Sequence, residues 1–77
     1  GLEYIMSPDN TISTHWGDGA NKHRKSIVYM NEDGIYEVHF WSKENLMEKR
    51  VMNPDGIPRS LQYAEDAAEN WSLGYIP

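Results

Sequence analysis

From Ser26 onward, apolar and polar side chains alternate in short bursts that read as strands. Ser26-Ile27-Val28-Tyr29-Met30 is β-rich, Asn31-Glu32-Asp33-Gly34 follows, and Ile35 to Trp41 alternates strictly. A type I turn closed by a left-handed glycine makes a short hairpin loop, and Gly34 stands where that glycine belongs. Met30 then pairs with Tyr36, Val28 with Val38 and Ser26 with Phe40, which gathers apolar residues on one face. Ser42-Lys43-Glu44-Asn45 reads as the next turn and Leu46 to Met52 as a third strand. Setting Trp41 opposite Leu46 puts Phe40 with Met47 and Tyr36 with Val51 inside. It also sets Glu37 against Arg50 and His39 against Glu48 outside, two favourable cross-strand charge pairs, and leaves Lys49 on the inner face.

Asn53-Pro54-Asp55-Gly56 is a type I turn sequence that ends this strand. Beyond it Ser60 is an N-cap, and Leu61, Ala64, Ala68 and Trp71 recur at helical spacing. Glu65, Asp66, Glu69 and Asn70 take the opposite side, and Gly74 terminates the helix. The fold class expected is α+β: a three- or four-stranded antiparallel sheet with one C-terminal helix packed on one face, in the order βββα. Its strands are 26–30, 35–41 and 46–52, and its helix is 60–73. The helix is expected over Val28, Met30, Tyr36, Val38, Phe40, Met47 and Val51.

Residues 1–25 read differently. Ser7-Pro8-Asp9-Asn10 and Gly17-Asp18-Gly19-Ala20-Asn21 are turn chemistry, with short apolar pieces, Leu2 to Met6 and Ile12 to Trp16, before and between them as candidate irregular strands. The expectation is an irregular segment, 1–25, preceding a 26–77 domain.

Composition narrows the class. Seventy-seven residues suffice for one domain with a thin core. The absence of cysteine excludes a disulfide framework and thiolate metal ligation. No apolar run approaches the roughly 18 residues of a membrane span and no signal sequence opens the chain, so a cytoplasmic protein without membrane association is expected. Twelve acidic against seven basic residues give a net charge of −5, which argues against general polyanion binding. The basic charge is nonetheless concentrated, in Lys22-His23-Arg24-Lys25.

Candidate chemistry is sparse. His15, His23 and His39 are scattered and lack metal-ligand spacing. No serine stands in a nucleophile elbow, and Gly17-Asp18-Gly19 lacks the lysine of a phosphate loop. The sequence therefore predicts no catalytic, cofactor-binding or metal-binding residues and no cofactor. What it does predict is an unusual outer sheet face, with Ile27, Tyr29, Ile35, Trp41, Leu46 and Met52 interleaved with Glu37, His39, Glu48 and Arg50. An apolar surface of that kind marks a contact site unless something covers it. Leu2, Tyr4, Ile5, Ile12 and Trp16 are the residues of the chain itself that would do so.

The expectation is a non-enzymatic protein-binding module using Tyr29, His39, Trp41, Arg50 and Met52. The alternatives are nucleic-acid binding through Lys22, Arg24, Lys25 and Arg50, and a structural homodimer that hides the same face.

Two resemblances add to this. Ile35-Tyr36-Glu37-Val38-His39-Phe40 and the alanine-rich Tyr63-Ala64-Glu65-Asp66-Ala67-Ala68-Glu69-Asn70-Trp71 make 26–73 similar to two kinds of DNA-binding domain, those of plant ethylene-response factors and of tyrosine-recombinase arm-binding domains. That resemblance implies a sheet face entering the major groove with arginines and tryptophans, here Arg50 and Trp41. The size, the acidic balance and the same Tyr63–Trp71 stretch also resemble small bacteriophage proteins, those of marine cyanophages especially. This second resemblance implies an accessory protein that binds, inhibits or redirects one host protein in the host cytoplasm.

Overall fold

The computed structural model describes residues 11–75. Four strands, β1 (Thr11–Trp16), β2 (Arg24–Met30), β3 (Tyr36–Ser42) and β4 (Asn45–Val51), form one antiparallel sheet in sequence order. A single helix, α1 (Leu61–Ser72), follows and packs on one face. The α+β class with a C-terminal helix is as the sequence predicts. The sheet, however, begins at Thr11 rather than Ser26.

Thr11–Trp16 is a strand because it alternates β-branched and polar residues and finds an open edge in β2. It lengthens the sheet sideways instead of folding across it, so Ile12 and Trp16 extend the outer face rather than cover it. The turn expected at 7–10 and the cover expected from Leu2, Tyr4 and Ile5 lie outside the described residues.

The central hairpin has the expected register, with Met30 opposite Tyr36, Val28 opposite Val38 and Ser26 opposite Phe40. Gly34 adopts φ 78°, and the Asn31 side chain accepts from the backbone N–H of Asp33 and of Ile35, which fixes the loop. The β3–β4 turn joins Ser42 to Asn45 through Lys43 (φ 53°) and Glu44 (φ 71°), both left-handed. Two-residue hairpin loops need that conformation, and glycine or asparagine supplies it with less strain than lysine or glutamate.

β4 departs from the expected register. Trp41 does face Leu46, but Met47 is an extra residue, and Phe40 then faces Glu48, His39 faces Lys49 and Val38 faces Arg50. Glu48 and Arg50 are therefore on the helix side and Lys49 on the outer side. This is tolerated because α1 lies chiefly over β1, β2 and β3, and a shallow hollow separates it from Arg50 of β4. The helix side of β4 remains wet, and Arg50 makes a two-pronged bond to Glu48 (both 3.0 Å) beside the Phe40 ring. Met47 and Val51, expected in the core, are exposed.

The core is Val28, Val38, Phe40, Met52, Ala64, Ala68 and Trp71. Ala64 and Ala68 let the helix approach closely, and Phe40 meets Trp71 with ring centroids 4.9 Å apart. Met52 is thus a core residue, 2% exposed, and not part of the outer face. Asn53-Pro54-Asp55-Gly56 turns as type II rather than type I, since Asp55 takes φ 65°. Ser60 caps α1 by accepting from the Tyr63 N–H, and Gly74 ends it at φ 85° with Tyr75 N–H bonded to Asn70 O.

The β1–β2 loop docks on that helix end. Asn21 donates to Leu73 O, Arg24 donates to Trp71 O at 2.8 Å, and the Ser72 hydroxyl bonds to Ser26 and to His15 O. Among the described residues no helix is long and apolar enough to cross a membrane.

Candidate functional site

Strand pairing arranges the outer side chains in rows across the sheet. One row is Trp16, Lys25, Trp41 and Leu46; the next is Thr14, Ile27, His39 and Lys49; the last is Tyr29, Glu37 and Val51, with Ile12 at the margin. Each residue is there because its strand alternates, so every second side chain shares the face. No element of the described residues packs on this side: α1, the one helix long enough to do so, is on the other. Trp16 is 65% exposed, and Ile12, Leu46 and Val51 are exposed as well.

The first row is the most distinctive. The Lys25 ammonium lies 5.3 Å from the ring centroid of Trp16 and 5.3 Å from that of Trp41, within cation–π range of both. Trp41 Nε1 is buried and meets no acceptor among the described residues. Its ring is therefore held by packing rather than by a hydrogen bond.

Higher on the face, Tyr29 and His39 stack with centroids 4.2 Å apart. His39 Nε2 is 3.1 Å from Glu37 Oε1, and Asn31 donates to the other carboxylate oxygen at 3.1 Å. The His39 hydrogen bond is the main cause holding the Glu37 carboxyl below its ordinary value. Partial burial opposes it, while Asn31, the His39 charge and Lys49 reinforce it.

Of the residues expected in a protein contact, Tyr29, His39 and Trp41 are together on this face. Arg50 and Met52 are not: the extra residue in β4 turns Arg50 to the helix side, and Met52 is buried under α1. Of the residues expected in a nucleic-acid contact, Lys25 is on the face and Lys22 is exposed in the adjoining turn. Arg24 points to the other side, where its guanidinium covers Trp71 at 4.6 Å and binds the helix end. Trp16 and Lys49 were missed. The signal for Trp16 was present, because Thr11-Ile12-Ser13-Thr14-His15-Trp16 alternates and is followed by Gly17. The bulge that exposes Lys49 left no such mark.

One further cluster deserves chemical scrutiny. His15 Nε2 is 2.5 Å from Glu65 Oε1, Ser13 donates to Glu65 Oε2 at 2.8 Å, and the serine oxygen is 3.3 Å from the same histidine nitrogen. A hydrolytic relay uses the two imidazole nitrogens for different partners. Here one nitrogen meets both, and the serine proton is given to the carboxylate. The cluster ties β1 to α1 and does not activate a nucleophile.

Two shallow hollows lie elsewhere. One, of about 360 Å3, is lined by Asn31, Glu32, Asp33 and Glu37; the other, of about 350 Å3, by Arg50, Tyr63, Asp66, Ala67 and Asn70. No group of three or more metal-capable side chains occurs among the described residues.

Compared with protein families, curated proteins and solved structures, this chain matches none.

Proposed function

We propose that the chain is a non-enzymatic binding module whose contact surface is the outer face of the sheet. The observation that carries this is the composition of that face. A sheet with a helix on one side ordinarily turns polar residues to water on the other. This one presents Trp16, Trp41, Tyr29, Ile27 and Leu46 around two lysines. Aromatic residues gathered on a surface that the fold does not need are the usual mark of a contact patch.

The bacteriophage resemblance would make the module an accessory protein acting on a host factor in the cytoplasm. The resemblance to plant and recombinase DNA-binding domains supplies a sheet of similar form. Reading of a duplex groove is disfavoured because Arg50, the arginine it requires, stands on the helix side.

Residues that serve binding rather than folding can be replaced at little cost to stability. Trp16→Ser and Leu46→Ser are therefore expected to shift the free energy of urea unfolding by no more than about 1 kcal/mol each, the range of exposed cross-strand pairs. Sedimentation at micromolar concentration is expected to report a monomer. Losses of about 2 kcal/mol or more, or a dimer that dissociates in the variants, would mean that the face is covered as part of the fold, and the reading would fail.

A further inference from the structure

We propose that the outer face binds single-stranded nucleic acid, with bases laid on Trp16 and Trp41 and the sugar–phosphate chain passing over Lys25. This rests on the reading of that face as a contact surface and names its occupant.

The first support is the distribution of charge. A net charge of −5 opposes polyanion binding only if it is spread evenly, and it is not. Glu65, Asp66 and Glu69 are on α1, Glu48 is on the helix side of β4, and Glu32, Asp33 and Asp55 are in turns away from the tryptophans. Among the described residues the carboxylate on the outer face is Glu37, in the row furthest from Trp16 and Trp41 and engaged by His39 and Asn31; Glu3 and Asp9 lie outside the described residues.

Lys25 and Lys49 share the face with it. The turns bearing Lys22 and Lys43 flank the first row and are joined by the bond from Lys43 N–H to His23 O; Asp18 and Glu44 are the acidic residues at that end. Of the helix carboxylates, Glu65 reaches the sheet, on its helix side, where Ser13 and His15 engage it.

The second support is geometric. Trp16, Lys25 and Trp41 are direct cross-strand neighbours, so the two indoles stand on strands about 9.5 Å apart with the ammonium between them. An extended strand crossing the sheet meets a stacking surface, a cation and a second stacking surface in turn, the two elements of sequence-tolerant single-strand binding. In a duplex the base faces are occupied by one another.

The third support is the turn at Lys43-Glu44. Both residues are held left-handed where asparagine and glycine would be less strained, and the turn places a lysine beside the first row. A protein contact of comparable aromatic content is expected to use arginine. Arg24 and Arg50 are both on the opposite side and engaged there.

The test is fluorescence anisotropy of a labelled 15-nucleotide oligothymidylate titrated with the full chain, with circular dichroism confirming that each variant is folded. Saturable binding is expected at about 20 mM salt, weakening roughly 15-fold between about 50 and 200 mM if about three phosphates are neutralised. Trp16→Ala is expected to weaken binding about 10-fold. Lys25→Gln should make the dependence on log salt shallower by about 0.7. Arg50→Gln, on the other side, should change neither quantity, and a duplex of equal length should bind more weakly.

Absence of binding at low salt, or binding that Trp16→Ala and Lys25→Gln leave unchanged, overturns the proposal. If the oligonucleotide fails while Trp16→Ser and Leu46→Ser are neutral to stability, the face belongs to a protein partner and the binding-module reading stands. If those two substitutions unfold the chain, that reading falls as well.

Discussion

Phe40 and Trp41 are adjacent in β3 and point to opposite sides of the same sheet. Phe40 is fully buried, stacked on Trp71 and enclosed by Val28, Val38, Ala64 and Ala68. Trp41 is half-buried between its cross-strand neighbours Lys25 and Leu46. On the helix side, polar groups also find defined partners: Ser26 with Ser72, Arg24 with Trp71 O, Asn21 with Leu73 O, and Ser13 and His15 with Glu65. The outer side has one such network, around Glu37. Among the described residues the helix side is thus closed by its own contacts, and the outer side is left open. In a chain this short the apolar area left outside is a large share of the whole.

The sharpest way to break this contrast is to truncate one aromatic on each side. Phe40→Ala is expected to cost about 3–5 kcal/mol, enough to unfold much of a marginal domain, whereas Trp16→Ser changes little. Equal losses in urea titrations would erase the distinction between the faces.

A second, smaller effect is expected at the loop that docks on the helix end. A Cβ on Gly17 would stand 2.2 Å from Asn21 O and 2.3 Å from Ser72 O, both backbone atoms that cannot swing aside. Gly17→Ala should therefore destabilise by about 2–3 kcal/mol, read as a lowered urea midpoint with unchanged slope. A neutral result would show that the loop does not anchor the helix side.

The smallest effect separates the one outer network from the rest of its face. Glu37 has its carboxyl below the ordinary value in the fold, so the stability it contributes is complete above the unfolded value. That contribution is lost as pH falls through the folded one. Glu37→Gln should remove part of the acid-side decline in melting temperature and leave the neutral-to-alkaline side flat. An unchanged acid limb would mean that His39 does not hold the carboxylate.

Much of the helix side was legible in the sequence because burial writes itself into periodicity. Val28, Val38 and Phe40 alternate, Ala64, Ala68 and Trp71 recur at helical spacing, and Ser60 and Gly74 mark the helix ends. The outer face was legible only in part. Tyr29, His39 and Trp41 follow from the hairpin register, but β4 was set by seeking charge pairs for Glu37 and His39, and pairs of that kind contribute little. The structure obtains a pair within β4 instead, Glu48 with Arg50, and the helix packs chiefly on the other three strands. β1 was legible as a short strand and as the fourth of a possible four, but its flanking turn residues hid its place beside β2. Its contacts with α1, through Ser13, His15 and Glu65, span some fifty positions of chain that no local pattern connects.

The extra residue at Met47 also bears on how this surface can change over evolutionary time. Side-chain parity along β4 downstream of the bulge depends on that single insertion. Were β4 to pair without the bulge and with Met47 retained, Glu48 and Arg50 would take the outer side and Lys49 the helix side, and a cationic surface would become one of mixed sign. Deleting Met47 would instead straighten the strand and leave Glu48 opposite Phe40 and Lys49 opposite His39. A slip of one edge strand thus separates two surface chemistries on the same scaffold, and loss of one codon would lock the present one.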